Sequence, residues 1–170
     1  KNIKCLVTGA AGFIGSTIVD ELVNRGFKVL AIDDESANNE NFFWNSSAEN
    51  KKLSILDYNS ILPLFKNVDF VFHLGAESRI VSAIERPIET YNVNIIGTHN
   101  VLQAALKNDV KRVVFSSTSS IYGLNPPLNN ELDKDDCLNP YSISKLGAEK
   151  ICKFFTQTHK LPITILRYFN

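Results

Sequence analysis

Three glycines, Gly9, Gly12 and Gly15 of TGAAGFIGSTI, follow an apolar run and open a helix-like pattern. Glycines at such a junction suit phosphate chemistry: a tight turn, bare backbone against a pyrophosphate, and N–H groups of a helix N-terminus facing the anion. The spacing G-x-x-G-x-x-G is one residue longer between its first two glycines than G-x-G-x-x-G, and a purely structural turn would satisfy it too. Asp33 ends a second apolar run 18 residues after Gly15, near the ~20 at which a carboxylate grips a ribose 2′-OH. It could equally be a turn acid. Asp34 and Glu35 follow, and no Lys or Arg occurs before Lys51, so a 2′-phosphate would be repelled and NAD is expected over NADP.

The elements that must position these residues are legible as alternating runs. Apolar, β-rich segments at 3–8, 28–33, 52–56, 70–74, 111–117 and 163–169 are mostly continuous rather than alternating, which predicts strands buried on both faces of a parallel sheet. Helical patterns fall at about 14–25, 59–66, 88–108 and 140–159; in the third, Tyr91, Val93, Ile95, Ile96, Val101, Leu102, Ala105 and Leu106 recur at helical intervals behind Pro87. This order predicts a doubly wound α/β fold. Two long irregular segments, 34–50 and 121–139, are rich in Asn, Ser and acids; loops of that length are expected to be functional or mobile.

Bulk properties exclude several classes. With 170 residues, 44% hydrophobic and 21% charged, the chain suits one globular domain. Eighteen basic residues balance eighteen acidic ones without a basic cluster, against a nucleic-acid binder. No apolar run approaches the ~20 residues of a membrane helix. Cys5, Cys137 and Cys152 are odd in number and lack a C-x-x-C pair, and no secretory leader opens the sequence, so reduced thiols and a cytoplasmic location are expected. His73, His99 and His159 are scattered, so no metal site is expected. The sequence has no methionine, so a trimmed or processed start is expected.

Five segments in order, TGAAGFIG, FHLGAES, FSSTSSIYG, NPYSISKLGAEK and LRYFN, resemble the extended short-chain dehydrogenase/reductase family of NAD-dependent sugar-nucleotide epimerases and dehydratases. The resemblance runs almost end to end. It implies a Rossmann fold with sheet order 3-2-1-4-5-6, helices on both faces, and catalytic Thr118, Tyr141 and Lys145. Tyr141 and Lys145 are i and i+4 on one helix face, and the ammonium with a positive nicotinamide would lower the phenol's pKa from its usual ~10. Lys145 could also hold the ribose hydroxyls, and Thr118 would orient the substrate hydroxyl. For the cofactor the resemblance implies Phe13 and Ile14 beside the pyrophosphate, Asp57 and Tyr58 near adenine, and Leu74, Gly75, Ala76, Asn94, Ser116, Ser117 and Tyr168 toward nicotinamide. Asp57 could instead be a helix N-cap. Substrate would meet Glu77, Ser78, Thr118, Ser119 and Asn170, with Arg79 beside them; 77–79 could also be a solvated loop.

The dehydratases of this family carry an Asp–Glu pair after the catalytic threonine, and uronate decarboxylases usually keep the glutamate. Ser119 and Ser120 stand there, so a nucleotide-sugar 4-epimerase is the reaction the resemblance favours. A reductase or dehydrogenase comes next, then a non-catalytic NAD-binding protein. The family also implies a smaller substrate domain beyond residue 170, without which weak NAD binding and negligible turnover are expected. It further implies a homodimer through a four-helix bundle built from 88–108 and 140–159, in which Ile151, Phe154 and Phe155 could lie in the seam or in the core.

Overall fold

The computed structural model describes residues 3–37, 41–125 and 134–169. Strands β1 (Lys4–Thr8), β2 (Lys28–Asp33), β3 (Glu49–Lys52), β4 (Phe70–His73), β5 (Arg112–Thr118) and β6 (Ile163–Tyr168) form one sheet in the order β3-β2-β1-β4-β5-β6. Every pairing is parallel. This is the expected doubly wound Rossmann arrangement, and its order reverses between β1 and β4, where such sheets open a crevice at the strands' carboxyl ends.

Consecutive strand residues face opposite sides and build two cores. Leu6, Leu30, Ile32, Val71, Val113 and Phe115 pack under helices α5 (Thr98–Lys107) and α6 (Pro140–His159). Cys5, Val7, Val29 and Ala31 pack with Val19 and Leu22 of α1 (Phe13–Asn24) on the other face.

Three departures from the sequence expectation have physical causes. The third strand lies at Glu49–Lys52, not 52–56: it is the edge strand, pairing only with β2, so a polar segment serves it. The apolar residues that follow leave the sheet and bury Ile55 in the core. The helix expected at 59–66 is cut to α2 (Tyr58–Ile61) and a 3₁₀ turn, Leu62–Phe65, where Pro63 lacks the N–H an α-helix needs. The third helix runs as α4 (Pro87–Tyr91), a π-helical turn (Asn92–Gly97) and α5, preceded by an unexpected α3 (Ile80–Glu85). Arg86, held out of the helical region at φ −132° and ψ 63° before Pro87, separates α3 from α4.

Helix α6 begins where expected. The Asn139 carbonyl Oδ1 accepts the Ser142 N–H at 2.9 Å, the Ser142 hydroxyl accepts the Asn139 N–H at 3.3 Å, and Pro140 occupies the first turn. Among the described residues no helix is long and apolar enough to cross a membrane, and the three cysteines are free thiols.

Candidate active site

A cleft of about 460 Å³ lies at the carboxyl ends of β1, β2, β4, β5 and β6. The glycine loop forms its floor. Gly9 adopts φ +67°, and a Cβ there would stand 2.7 Å from the Gly75 nitrogen, so β1 and β4 approach as closely as backbone permits. Gly12 caps α1 without a side-chain acceptor, leaving first-turn N–H groups of Phe13, Ile14 and Gly15 for an anion.

Asp33 ties β2 to this loop: its Oδ2 accepts the Ala11 N–H at 3.0 Å and its Oδ1 the Glu35 N–H at 2.8 Å. Burial raises its pKa, the two N–H donors oppose that, and the charges of Asp34 and Glu35 add to the rise. Sequence spacing missed one cation. Lys52 is register-paired with Asp33, but its ammonium is held by Glu35 at 2.5 Å, and Trp44 donates to the same carboxylate at 2.8 Å. Both contacts push the Glu35 pKa down.

At the other end, Tyr141 and Lys145 of α6 face the cleft beside Ser116 and Ser117 of β5 and Tyr168 of β6. Thr118 lies beside the Tyr141 phenol; its Oγ1 donates to the Ser120 hydroxyl at 3.1 Å and accepts the Ser120 N–H at 3.1 Å. Lys145 is buried, its ammonium 4.4 Å from the centre of the Phe115 ring, and burial lowers its pKa to about 8. The expected lowering of the Tyr141 pKa does not occur in the free site. Desolvation raises it, Thr118 opposes that, and Lys145 is spent on the Phe115 face.

Leu74, Gly75, Ala76, Glu77, Ser78 and Arg79 line the cleft wall after β4. That wall is braced from behind. Gly75 N–H donates to the Thr8 hydroxyl at 3.1 Å, which meets His73 Nδ1 at 2.7 Å; His73 Nε2 meets Thr98 at 2.9 Å, and Thr98 donates to the Asn94 carbonyl at 2.7 Å. Complete burial keeps His73 neutral, with a pKa near 3. Thr8 and Thr98 use their own hydrogens toward Nδ1 and the Asn94 carbonyl, which puts the ring proton on Nε2.

Some expected contacts lie elsewhere. Asn94 does not line the cleft: its Oδ1 accepts Glu77 N–H at 2.8 Å, and its Nδ2 donates to the Glu77 carbonyl at 2.9 Å and to Ser144 at 2.8 Å. A buried amide with both its donors spent ties the wall to α6. Asp57 caps α2, accepting Ser60 N–H at 3.2 Å and its hydroxyl at 2.6 Å; neither it nor Tyr58 lines the cleft, whereas Leu53 and Ile55 do. Ser119 lies beyond the rim in a 3₁₀ turn, and Asn170 is outside the described residues. Ser82 of α3, Arg86 between the helices and Glu89 of α4 also line the cleft; sequence reading missed them with α3 itself.

Fold and cleft together define a dinucleotide-binding domain of the doubly wound class, with a Tyr–Lys pair at the β5–β6 end of its cleft. The chain belongs to the NAD dependent epimerase/dehydratase family, whose model matches residues 5–170. It is 39% identical over 182 residues to the UDP-N-acetyl-alpha-D-glucosaminuronate decarboxylase of Bacillus cytotoxicus, covering 98% of this chain and 54% of that protein. It superposes on the UDP-glucose 4-epimerase of Thermotoga maritima, solved with UDP-glucose, at a TM-score of 0.94 and 34% identity over 99% of this chain and 56% of that one. The UDP-glucose 4-epimerase of Thermus thermophilus, solved with NAD, gives 0.90 and 29% over 98% and 55%. The chain spans about half the length of the curated relatives it matches.

Proposed function

We propose that the protein carrying this domain is an NAD-dependent nucleotide-sugar 4-epimerase. The observation that carries the reading is the pair of serines after Thr118: Ser120 spends its N–H on Thr118, and neither of the two positions directly after that threonine holds a carboxylate to remove water or steer decarboxylation. The residues present fit a dinucleotide, with uncapped first-turn N–H groups at α1, a Gly9 position with no room for a Cβ, and Asp33 at the ribose end. NAD, when bound, supplies a positive ring and a hydride acceptor that returns what it takes.

The chain's own side chains do the rest. Tyr141 takes the proton of the sugar C4 hydroxyl, Thr118 orients that hydroxyl, and Lys145 keeps positive charge beside both. The 4-keto sugar turns over in the site and is reduced on its other face, where Tyr141 returns the proton. A decarboxylase is the second reading, favoured by the 39% identity to one. Incubating the full-length protein with NAD and a panel of UDP-hexoses and UDP-uronates separates the two: the epimerase reading expects a 4-epimer with all carbons kept, and release of CO₂ from a uronate overturns it.

We infer homodimerisation through the helices flanking the cleft. Phe155 is core, 1% exposed, and Ile151 is half-buried, but Phe154 is 51% exposed, as are Ile88 at 73% and Ile96 at 50% on the neighbouring helical segment. Sedimentation of wild type should give a dimer and Phe154→Glu a monomer; a monomeric wild type refutes the inference.

A further inference from the structure

One buried carboxylate is not used by the chemistry above. Glu149 is 1% exposed and lies one helical turn beyond Lys145 on the inward face of α6. Three elements converge on it. Ser117 of β5 donates to its Oε1 at 2.6 Å, and Arg167 of β6 grips both oxygens, Nε to Oε1 and an Nη to Oε2, each at 2.8 Å. Arg167 is itself held over the Tyr122 ring at 4.8 Å and lies 3.5 Å from Asp135. The neighbours of these anchors are site residues: Thr118 follows Ser117, Tyr168 follows Arg167, and Lys145 precedes Glu149 by four.

We propose that Glu149 is a positioning residue: bolted to β5 and β6 through Ser117 and Arg167, it fixes the register of α6 and serves as the counter-charge of buried Lys145. This rests on the reading of Lys145 as the cation of the site.

The charges around the lysine favour this assignment. From β4 it meets His73, which is neutral, and from β5 the uncharged face of Phe115. Its own helix offers Cys152 first and then the Glu149 carboxylate as groups whose negative charge would favour the ammonium; burial pushes the thiol up to about 12, so at neutral pH only Glu149 carries that charge. Glu85 of α3, Arg86 between α3 and α4, Glu89 of α4 and His99 of α5 are exposed. On the far side Arg167, with a lesser contribution from Lys153, keeps Glu149 ionised despite burial. Burial drives the lysine toward neutrality and Glu149 opposes it, so losing the negative charge moves Lys145 deprotonation to lower pH.

The test is Glu149→Gln in the full-length protein, with lysines labelled at ¹³Cε and the Lys145 resonance assigned by its loss in Lys145→Arg. The Lys145 midpoint should fall by about one pH unit, the typical effect of one nearby opposite charge, and the alkaline limb of the turnover profile should move with it. Because Gln strands a buried guanidinium, Glu149→Gln/Arg167→Leu serves as a second variant, with melting restored toward wild type but the Lys145 midpoint still low. A folded variant whose Lys145 titrates as in wild type overturns the proposal. The NMR midpoint needs no substrate, so a shifted midpoint in a protein that epimerises nothing refutes the epimerase reading and leaves this one standing.

Discussion

Replacing Tyr141 with Phe should lower turnover by about 10²–10⁴-fold, the range of a positioned general acid–base, while leaving NAD affinity and melting temperature near wild type. The ring packs at the start of α6, so Phe keeps its shape and forfeits only the hydroxyl that Thr118 meets. Burial holds that phenol above its ordinary pKa in the free protein, so at neutral pH it carries its proton until a positive ring joins Lys145. Turnover should therefore rise with pH until the lysine, with a pKa near 8, loses its charge. Equilibrium dialysis with NAD beside steady-state rates makes the comparison. Turnover within threefold of wild type would remove Tyr141 from the chemistry.

The second large effect is at the glycine loop. Gly15→Ala should abolish measurable NAD binding and destabilise the fold by about 1–3 kcal/mol, the cost of forcing atoms into a packed site. Its Cβ would overlap the Gly9 carbonyl oxygen and sit 2.8 Å from the Gly9 carbon, all backbone that cannot swing aside. To relieve the clash, Gly9 must retreat, yet it already abuts Gly75 across the sheet. The loop's N–H groups then leave the position an anion needs. Calorimetric titration with NAD and thermal melting check both parts. Wild-type affinity in a folded Gly15→Ala would show that the loop tolerates a side chain and is no close cradle.

How much of this was legible in the sequence follows from what each residue is asked to do. Strands buried on both faces announce themselves, because Leu6 and Val7 must both be apolar to serve opposite cores. Edge strand β3 has one neighbour and needs no such run, so the apolar stretch after it drew the prediction three to four residues too far on. The glycine loop and the Tyr141–Lys145 turn were visible because their spacing is local. Asn94 and Glu149 were not, for their roles depend on partners 17 and 32 residues away in the chain, Glu77 and Ser117. Asp57 was legible only as an alternative: an acid at a strand end suits an adenine contact or a helix cap, and the fold shows it capping α2 through Ser60. The third helix kept its outer bounds yet hid a π turn, which hydrophobic periodicity does not register.

The measurement that tests the central claim most directly is epimerisation of a UDP-sugar carrying deuterium at C4, by the full-length protein loaded with NAD. If the site oxidises C4 and restores it from the other face, the 4-epimer appears with deuterium still at C4, every carbon retained and no net consumption of NAD. Loss of the deuterium to water, or a product lacking C6, would contradict it.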